Sequence, residues 1–186
     1  MHTFSLVAAL VASTSAAQIR LYPNSFGCSE NTVLICRNVG NTCCGQATRN
    51  FSSGVLLNGR SNQRGLYWVR GAGANNLCGS FLGAAGNGVC YTQGERGGIT
   101  GGRVGTAQLR ARRNVEELED TADSACEMVL PDVLMVDGQG FYINHHVPET
   151  VSNAMMEKVD AGTSAAELMV EFAEYSFSGE ENAALL

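Results

Sequence analysis

The chain has 186 residues, 45% of them hydrophobic, and carries 12 Lys or Arg against 18 Asp or Glu, for a formal net charge of −6. That length suits one or two small domains, and the composition excludes both a charged, apolar-poor disordered chain and a bundle of membrane spans. Seven cysteines and 22 glycines point to an oxidising compartment and to many turns.

Phe4-Ser5-Leu6-Val7-Ala8-Ala9-Leu10-Val11-Ala12 is an apolar run of the length of a signal h-region, about half of a membrane span. Ser13-Thr14-Ser15-Ala16-Ala17 then supplies the small residues a signal peptidase reads, which predicts cleavage before Gln18. The n-region, Met1-His2-Thr3, carries no Lys or Arg. Residues 1–17 are thus read as a signal peptide, and the product as secreted and soluble. No later stretch is long and apolar enough to span a bilayer, and no hydrophobic tail suggests a lipid anchor. Asn50-Phe51-Ser52 is a glycosylation sequon that agrees with this route.

Counted by segment, the charge splits sharply. Residues 18–113 hold eleven Arg, no Lys, no Asp and two Glu, a balance of +9, whereas residues 114–186 hold sixteen Asp or Glu against Lys158 alone, a balance of −15. Six of the seven cysteines lie between Cys28 and Cys90. Such asymmetry marks a boundary between units. The predicted organisation is a cysteine-rich basic β domain over 18–92, a Gly/Arg-rich linker over 93–113, an acidic unit over 114–177 and a flexible tail over 178–186. The junction, Arg110-Ala111-Arg112-Arg113, fits the Arg-x-Arg-Arg pattern of kexin- or furin-type proteases, whose acidic pockets hold basic side chains. A solvated basic linker is the alternative.

In the basic half, Ile19–Tyr22, Thr32–Cys36, Gly54–Leu57, Leu66–Val69 and Gly88–Tyr91 are short β-like runs parted by turn formers. Cys28, Cys36, Cys43, Cys44, Cys78 and Cys90 allow fifteen pairings, and spacing does not choose among them. Adjacent Cys43 and Cys44 cannot easily bond each other, so they are expected to clamp two different strands. Three disulfides at about 2–4 kcal/mol each would reinforce the small core. A zinc site is a poor reading, for there is no Cys-x-x-Cys pair.

The order Ile19–Tyr22, Thr32–Val39, Cys43-Cys44, Phe51-Ser52-Ser53-Gly54-Val55 and Gly65–Val69 resembles fungal small secreted cysteine-rich proteins and, distantly, the βγ-crystallin Greek key. The resemblance spans about residues 18–92 and implies a β sandwich of the kind some secreted toxins use. Thr48 and Arg49 stand at the acidic positions ahead of Asn50-Phe51-Ser52-Ser53, so it implies no calcium site.

The arginines Arg20, Arg37, Arg49, Arg60, Arg64, Arg70, Arg96 and Arg103 favour planar, bidentate contacts to phosphate or carboxylate. Arg49, Arg60, Arg64 and Arg70, with Tyr67 and Trp68, are the candidate contacts to an anionic target; the alternative is that they merely cover the domain and pair with the acidic half. The Gly94–Gly105 segment lacks the Gly-Lys-Ser/Thr ending of a phosphate loop, which leaves a linker.

In the acidic half, Asn114 is placed to cap a helix through about Met128. Val133–Val136, an Asp137-Gly138-Gln139-Gly140 turn and Phe141–Ile143 read as a hairpin. Pro148 opens a helix to about Asp160, and Ser164-Ala165-Ala166-Glu167 is a capping box for a helix reaching Tyr175. His145 and His146 sit near Asp132 and Asp137 in sequence but would point to opposite faces of an extended chain, a poor chelate. Cys126 is the unpaired candidate. It would be a free thiol, a bond across halves or a bond between chains.

The predicted fold is therefore α+β: a disulfide-stapled antiparallel β sandwich of βγ-crystallin type, followed by a separate acidic helix/β-hairpin/helix unit. The expected function is a secreted, non-enzymatic effector or toxin-like protein. Its basic module would bind an anionic surface or a host or cell-wall polymer, nucleic acid being the least expected, with the acidic half as shield or propeptide. An uncleaved extracellular cell-wall or glycan-binding module is the alternative. A secreted hydrolase ranks third, for want of a nucleophile with a base. No cofactor or metal is expected.

Overall fold

The computed structural model describes residues 16–40, 42–71, 76–93, 98–106, 127–144 and 146–177. Among these are twelve strands: β1 (Gln18–Tyr22), β2 (Thr32–Cys36), β3 (Cys43–Gly45), β4 (Ser53–Leu57), β5 (Gln63–Val69), β6 (Ser80–Gly86), β7 (Tyr91–Thr92), β8 (Gly101–Thr106), β9 (Met128–Val129), β10 (Val133–Val136), β11 (Gln139–Tyr142) and β12 (Ser176–Phe177). Two helices follow β11, α1 (Glu149–Asp160) and α2 (Ala165–Glu171).

The strands form two sheets. The seven-stranded sheet runs β12-β11-β10-β2-β1-β4-β7 and is antiparallel throughout, and the five-stranded sheet runs β6-β5-β8-β3-β9 with only β3 and β9 parallel. They pack as a disulfide-stapled β sandwich. Ile19, Leu21, Leu34 and Leu56 of one sheet meet Tyr67, Val104 and Cys44 of the other in a single buried cluster. The opposite face of the seven-stranded sheet carries a second buried cluster of Tyr22, Val33, Ile35, Val55, Val133, Met135 and Phe177. Two-sided burial explains why β2 and β10 read as unbroken apolar runs rather than alternating ones.

The acidic half is not separate, which corrects the sequence expectation. Its hairpin adds to the basic half: β10 pairs with β2 through Val133↔Ile35, Leu134↔Leu34, Met135↔Val33 and Val136↔Thr32. A lone two-stranded hairpin is marginal in water, and an apolar sheet edge left open invites aggregation, so each element remedies the other. The hairpin turn is built by Asp137 and Gly138, both at positive φ (49° and 80°), as a tight two-residue turn requires. Met155 and Met156 of α1 and Leu168 of α2 then join the same core cluster as Leu134 and Phe141. The Ser164–Glu167 capping box forms as its spacing predicts.

A second correction concerns the linker expected over 93–113. Gly101–Thr106 is β8, lying between β5 and β3. Its glycines serve packing, not flexibility: a Cβ at Gly101 would lie 2.8 Å from the Cys43 sulfur and 2.9 Å from that of Cys78. Gly54 on β4 is similar, since a Cβ there would come within 2.5 Å of the Tyr67 ring. Tyr67 thus fills space that glycines leave. The strand expected over Gly88–Tyr91 shrinks to Tyr91–Thr92, because Gly88, at φ +73°, belongs to a turn. The helix expected over Asn114–Met128 lies outside the described residues up to Cys126, and Met128 itself is in β9. The signal segment up to Ser15 and the tail 178–186 also lie outside them.

Tyr67 is fully buried, and among the described residues its hydroxyl has no hydrogen-bond partner. Burial, with smaller contributions from Tyr22 and Tyr91, pushes its phenol well above the usual tyrosine range. Because the folded-state value is raised, the unfolded chain ionises first; this contribution to stability is intact below about pH 10 and lost as pH rises. Tyr67→Phe is expected to hold or raise stability, by up to about 1 kcal/mol, and to flatten the fall of the urea midpoint above about pH 10, leaving the smaller share from Tyr91. Loss of more than about 1 kcal/mol at neutral pH, or an unchanged alkaline slope, would contradict this packing.

Candidate functional site

The disulfides come first because they fix the strands on which the charged residues ride. Cys28 bonds Cys90, Cys36 bonds Cys44 and Cys43 bonds Cys78, with Cα separations of 5.8, 6.1 and 6.2 Å. Cys44 reaches across the core to β2, while Cys43 faces the other way, toward the connection ahead of β6. Alternation along an extended chain gives the adjacent cysteines these opposite directions. Cys126 lies outside the described residues, as do Arg110, Arg112, Arg113 and His145.

The candidate arginines separate into three kinds. Arg49 forms an ion pair with Asp160 at the end of α1, with its own side chain 11% exposed and that of Asp160 58% exposed. Arg60 is exposed in the β4–β5 turn. Arg64 is half-buried on the side of β5 that faces away from the main core, the side of buried Leu66 and Trp68, since side chains two apart on a strand share a face, and Arg70 is the residue directly after the strand. Arg70 donates through Nη2 to the carbonyl of Ala47.

Arg103 of β8 completes the group. It stands opposite Leu66 in the ladder, and its guanidinium carbon lies 4.9 Å from the centroid of the Trp68 ring. The choice of candidate contacts from sequence left it out, because it lies in a stretch that reads as a glycine linker. Strands β3, β5, β6 and β8 contain no acidic residue, and among the described residues Arg64, Arg70 and Arg103 have no ion-pair partner. From Arg64 to Arg70 the face runs for roughly 20 Å at strand rise. It is a rigid stripe of like charge, and such a surface focuses anions.

Tyr67 and Trp68 are both buried. Tyr67 sits in the core with its ring stacked on Tyr91 at 4.8 Å, and Trp68 is 2% exposed beneath Arg103, edge-on to Phe81. Aromatic rings of a strand buried on both faces are consumed by packing. Arg20 is likewise buried, opposite Ile35 and Val55. Asn50 is exposed, anchored by buried Phe51, so the sequon is accessible.

A second feature is a cleft of about 570 Å³ where the β2–β3 connection, the loop after β3, residues 129–132 and α1 converge. Arg37, Gln46, Asp132, Asn144 and Asn153 are among its lining. The Asp132 carboxylate accepts from the backbone N–H of Arg37 at 2.7 Å, and the Arg37 guanidinium lies over the Tyr142 ring at 5.4 Å. His146, exposed at one end, donates its backbone N–H to Asn144 Oδ1. Nothing in the sequence signals this cleft, since its walls come from residues about a hundred positions apart.

The chain matches no family model, no curated protein and no solved structure. Among the described residues, no group of three or more His, Cys, Asp or Glu is placed to hold a metal ion, and no helix is long and apolar enough to cross a membrane.

Trp68 is the chain's one tryptophan, so its fluorescence reports the burial of this face directly. In the folded protein its emission is expected to be blue-shifted and resistant to iodide, turning red-shifted and quenchable in denaturant. Strong iodide quenching without denaturant would contradict its placement beneath Arg103.

Proposed function

We propose that the protein is a secreted, non-enzymatic binding protein, effector- or toxin-like, whose five-stranded sheet presents Arg64, Arg70 and Arg103 to a polyanionic surface or polymer. The observation that carries this reading is Arg64 and Arg103 on one sheet face, with Arg70 directly after β5, none of them with an ion-pair partner among the described residues. Guanidinium groups held by strands lose little freedom on meeting phosphate, sulfate or carboxylate, which favours them over mobile lysines. Three disulfides in a small β sandwich, together with the absence of a membrane-crossing helix among the described residues, are compatible with an extracellular setting.

In this reading the acidic half stays with the basic half. Because β10 and β11 extend the seven-stranded sheet from β2, a cut after Arg113 would yield a two-chain protein held by sheet pairing and core contacts, rather than a freed basic module. Its excess of acidic groups then keeps polyanions away from everything but the arginine face.

Binding to a sulfated polysaccharide column and to vesicles rich in anionic lipid tests the reading. If three arginines each displace a counterion, affinity is expected to fall about 20- to 40-fold between 50 and 200 mM salt. Arg64→Gln combined with Arg103→Gln should abolish most of it while disulfides and circular dichroism stay unchanged. Salt-insensitive binding, or full binding by the double variant, would sink the proposal.

A further inference from the structure

We infer that the cleft beside α1 is a second binding site, for a neutral polyhydroxylated ligand such as a short oligosaccharide. Its volume of about 570 Å³ lies within the usual range of small-molecule pockets. Ten of its seventeen lining residues carry polar side chains set around a largely apolar surface, a mixture that suits an amphipathic ligand rather than a wholly apolar one. The amides of Asn38, Gln46, Asn144 and Asn153 and the hydroxyls of Thr42 and Ser152 both donate and accept, as sugar hydroxyls do.

The apolar part of the cleft is equally specific. Ile143, Val147 and Met156 form a buried floor, and Leu130 stands 62% exposed at the rim, a platform for the C–H face of a sugar ring. The exposed side chain of Asn153 and the half-buried ones of Thr42, Asn144 and Ser152 supply the polar rim around that floor. Charge sets the ligand class. The lining carries two acidic side chains, Asp132 and Glu149, and one basic one, Arg37, so the cleft disfavours the polyanions that the arginine face would take. The two sites meet where Arg70 donates to the carbonyl of Ala47 in the cleft lining, and substitutions at Arg64 and Arg103 on one side and at Asn153 on the other separate them.

Titration of the full-length, isotope-labelled protein with neutral trisaccharides of glucose, of mannose and of N-acetylglucosamine, followed by amide NMR shifts, tests this site. At least one should produce saturable shifts at Asn38, Gln46, Asn144 and Asn153 and none on β5 or β8. Half-buried Thr42→Val, which removes a lining hydroxyl at nearly constant volume, and exposed Asn153→Ala should each weaken binding about tenfold while the melting temperature and binding to the sulfated column persist. Failure of all three sugars to shift these residues, shifts confined to the arginine face, or undiminished binding by both variants would overturn the inference.

Discussion

The ladder between β2 and β10 is the contact on which the rest of this molecule depends. It joins residues 32–36 of the basic half to residues 133–136 of the acidic half, and both strands are buried on both faces. Without β10, β2 would be an apolar edge; without β2, the β10–β11 hairpin would have no sheet to extend. The disulfide from Cys36 to Cys44 holds β2 against the second sheet, so the edge that receives β10 is already in position. The charge contrast between the halves is therefore a property of their exteriors, whereas cohesion comes from Val, Leu, Ile and Met meeting across the ladder.

The five-stranded sheet obeys a different constraint. Gly101 lets the Cys43–Cys78 bridge approach its backbone, and Gly54 of the facing sheet leaves room for the Tyr67 ring. Close packing on the inner side makes β5 and β8 a stiff support, and their outer side is where Arg64 and Arg103 stand. Trp68 adds to this by bracing Arg103 from below. Aromatic residues thus position the arginines instead of touching a ligand.

Much of the fold could be read in the chain. Runs such as Thr32–Cys36 and Val133–Val136, the Asp137-Gly138 turn and the Ser164–Glu167 box carry local signals that the structure follows closely. What escaped were features set by distant partners. β3, β6 and β8 are built largely of Cys, Gly, Ala and Ser, residues whose β character comes from ladder neighbours and not from intrinsic preference. The union of the halves was invisible because strand pairing across about a hundred residues leaves no local mark, while the change of charge is conspicuous. For the same reason an arginine among glycines, as at Arg103, resembles part of a linker, and aromatics beside arginines, as at Tyr67 and Trp68, resemble a binding surface although both rings are buried.

The arginine face and the cleft have different chemistry, one a charged stripe on a rigid sheet, the other a mixed pocket where the halves meet. Both require that the oppositely charged halves be one cooperative structure. Amide hydrogen exchange measured at increasing denaturant tests that most directly. The amides of β1, β2, β10 and β11 are expected to converge on one opening free energy and one denaturant dependence, as strands of a single folding unit do. Should β10 and β11 open at distinctly lower free energy while β1 and β2 stay protected, the acidic half would be a separable appendage, and the account would be wrong.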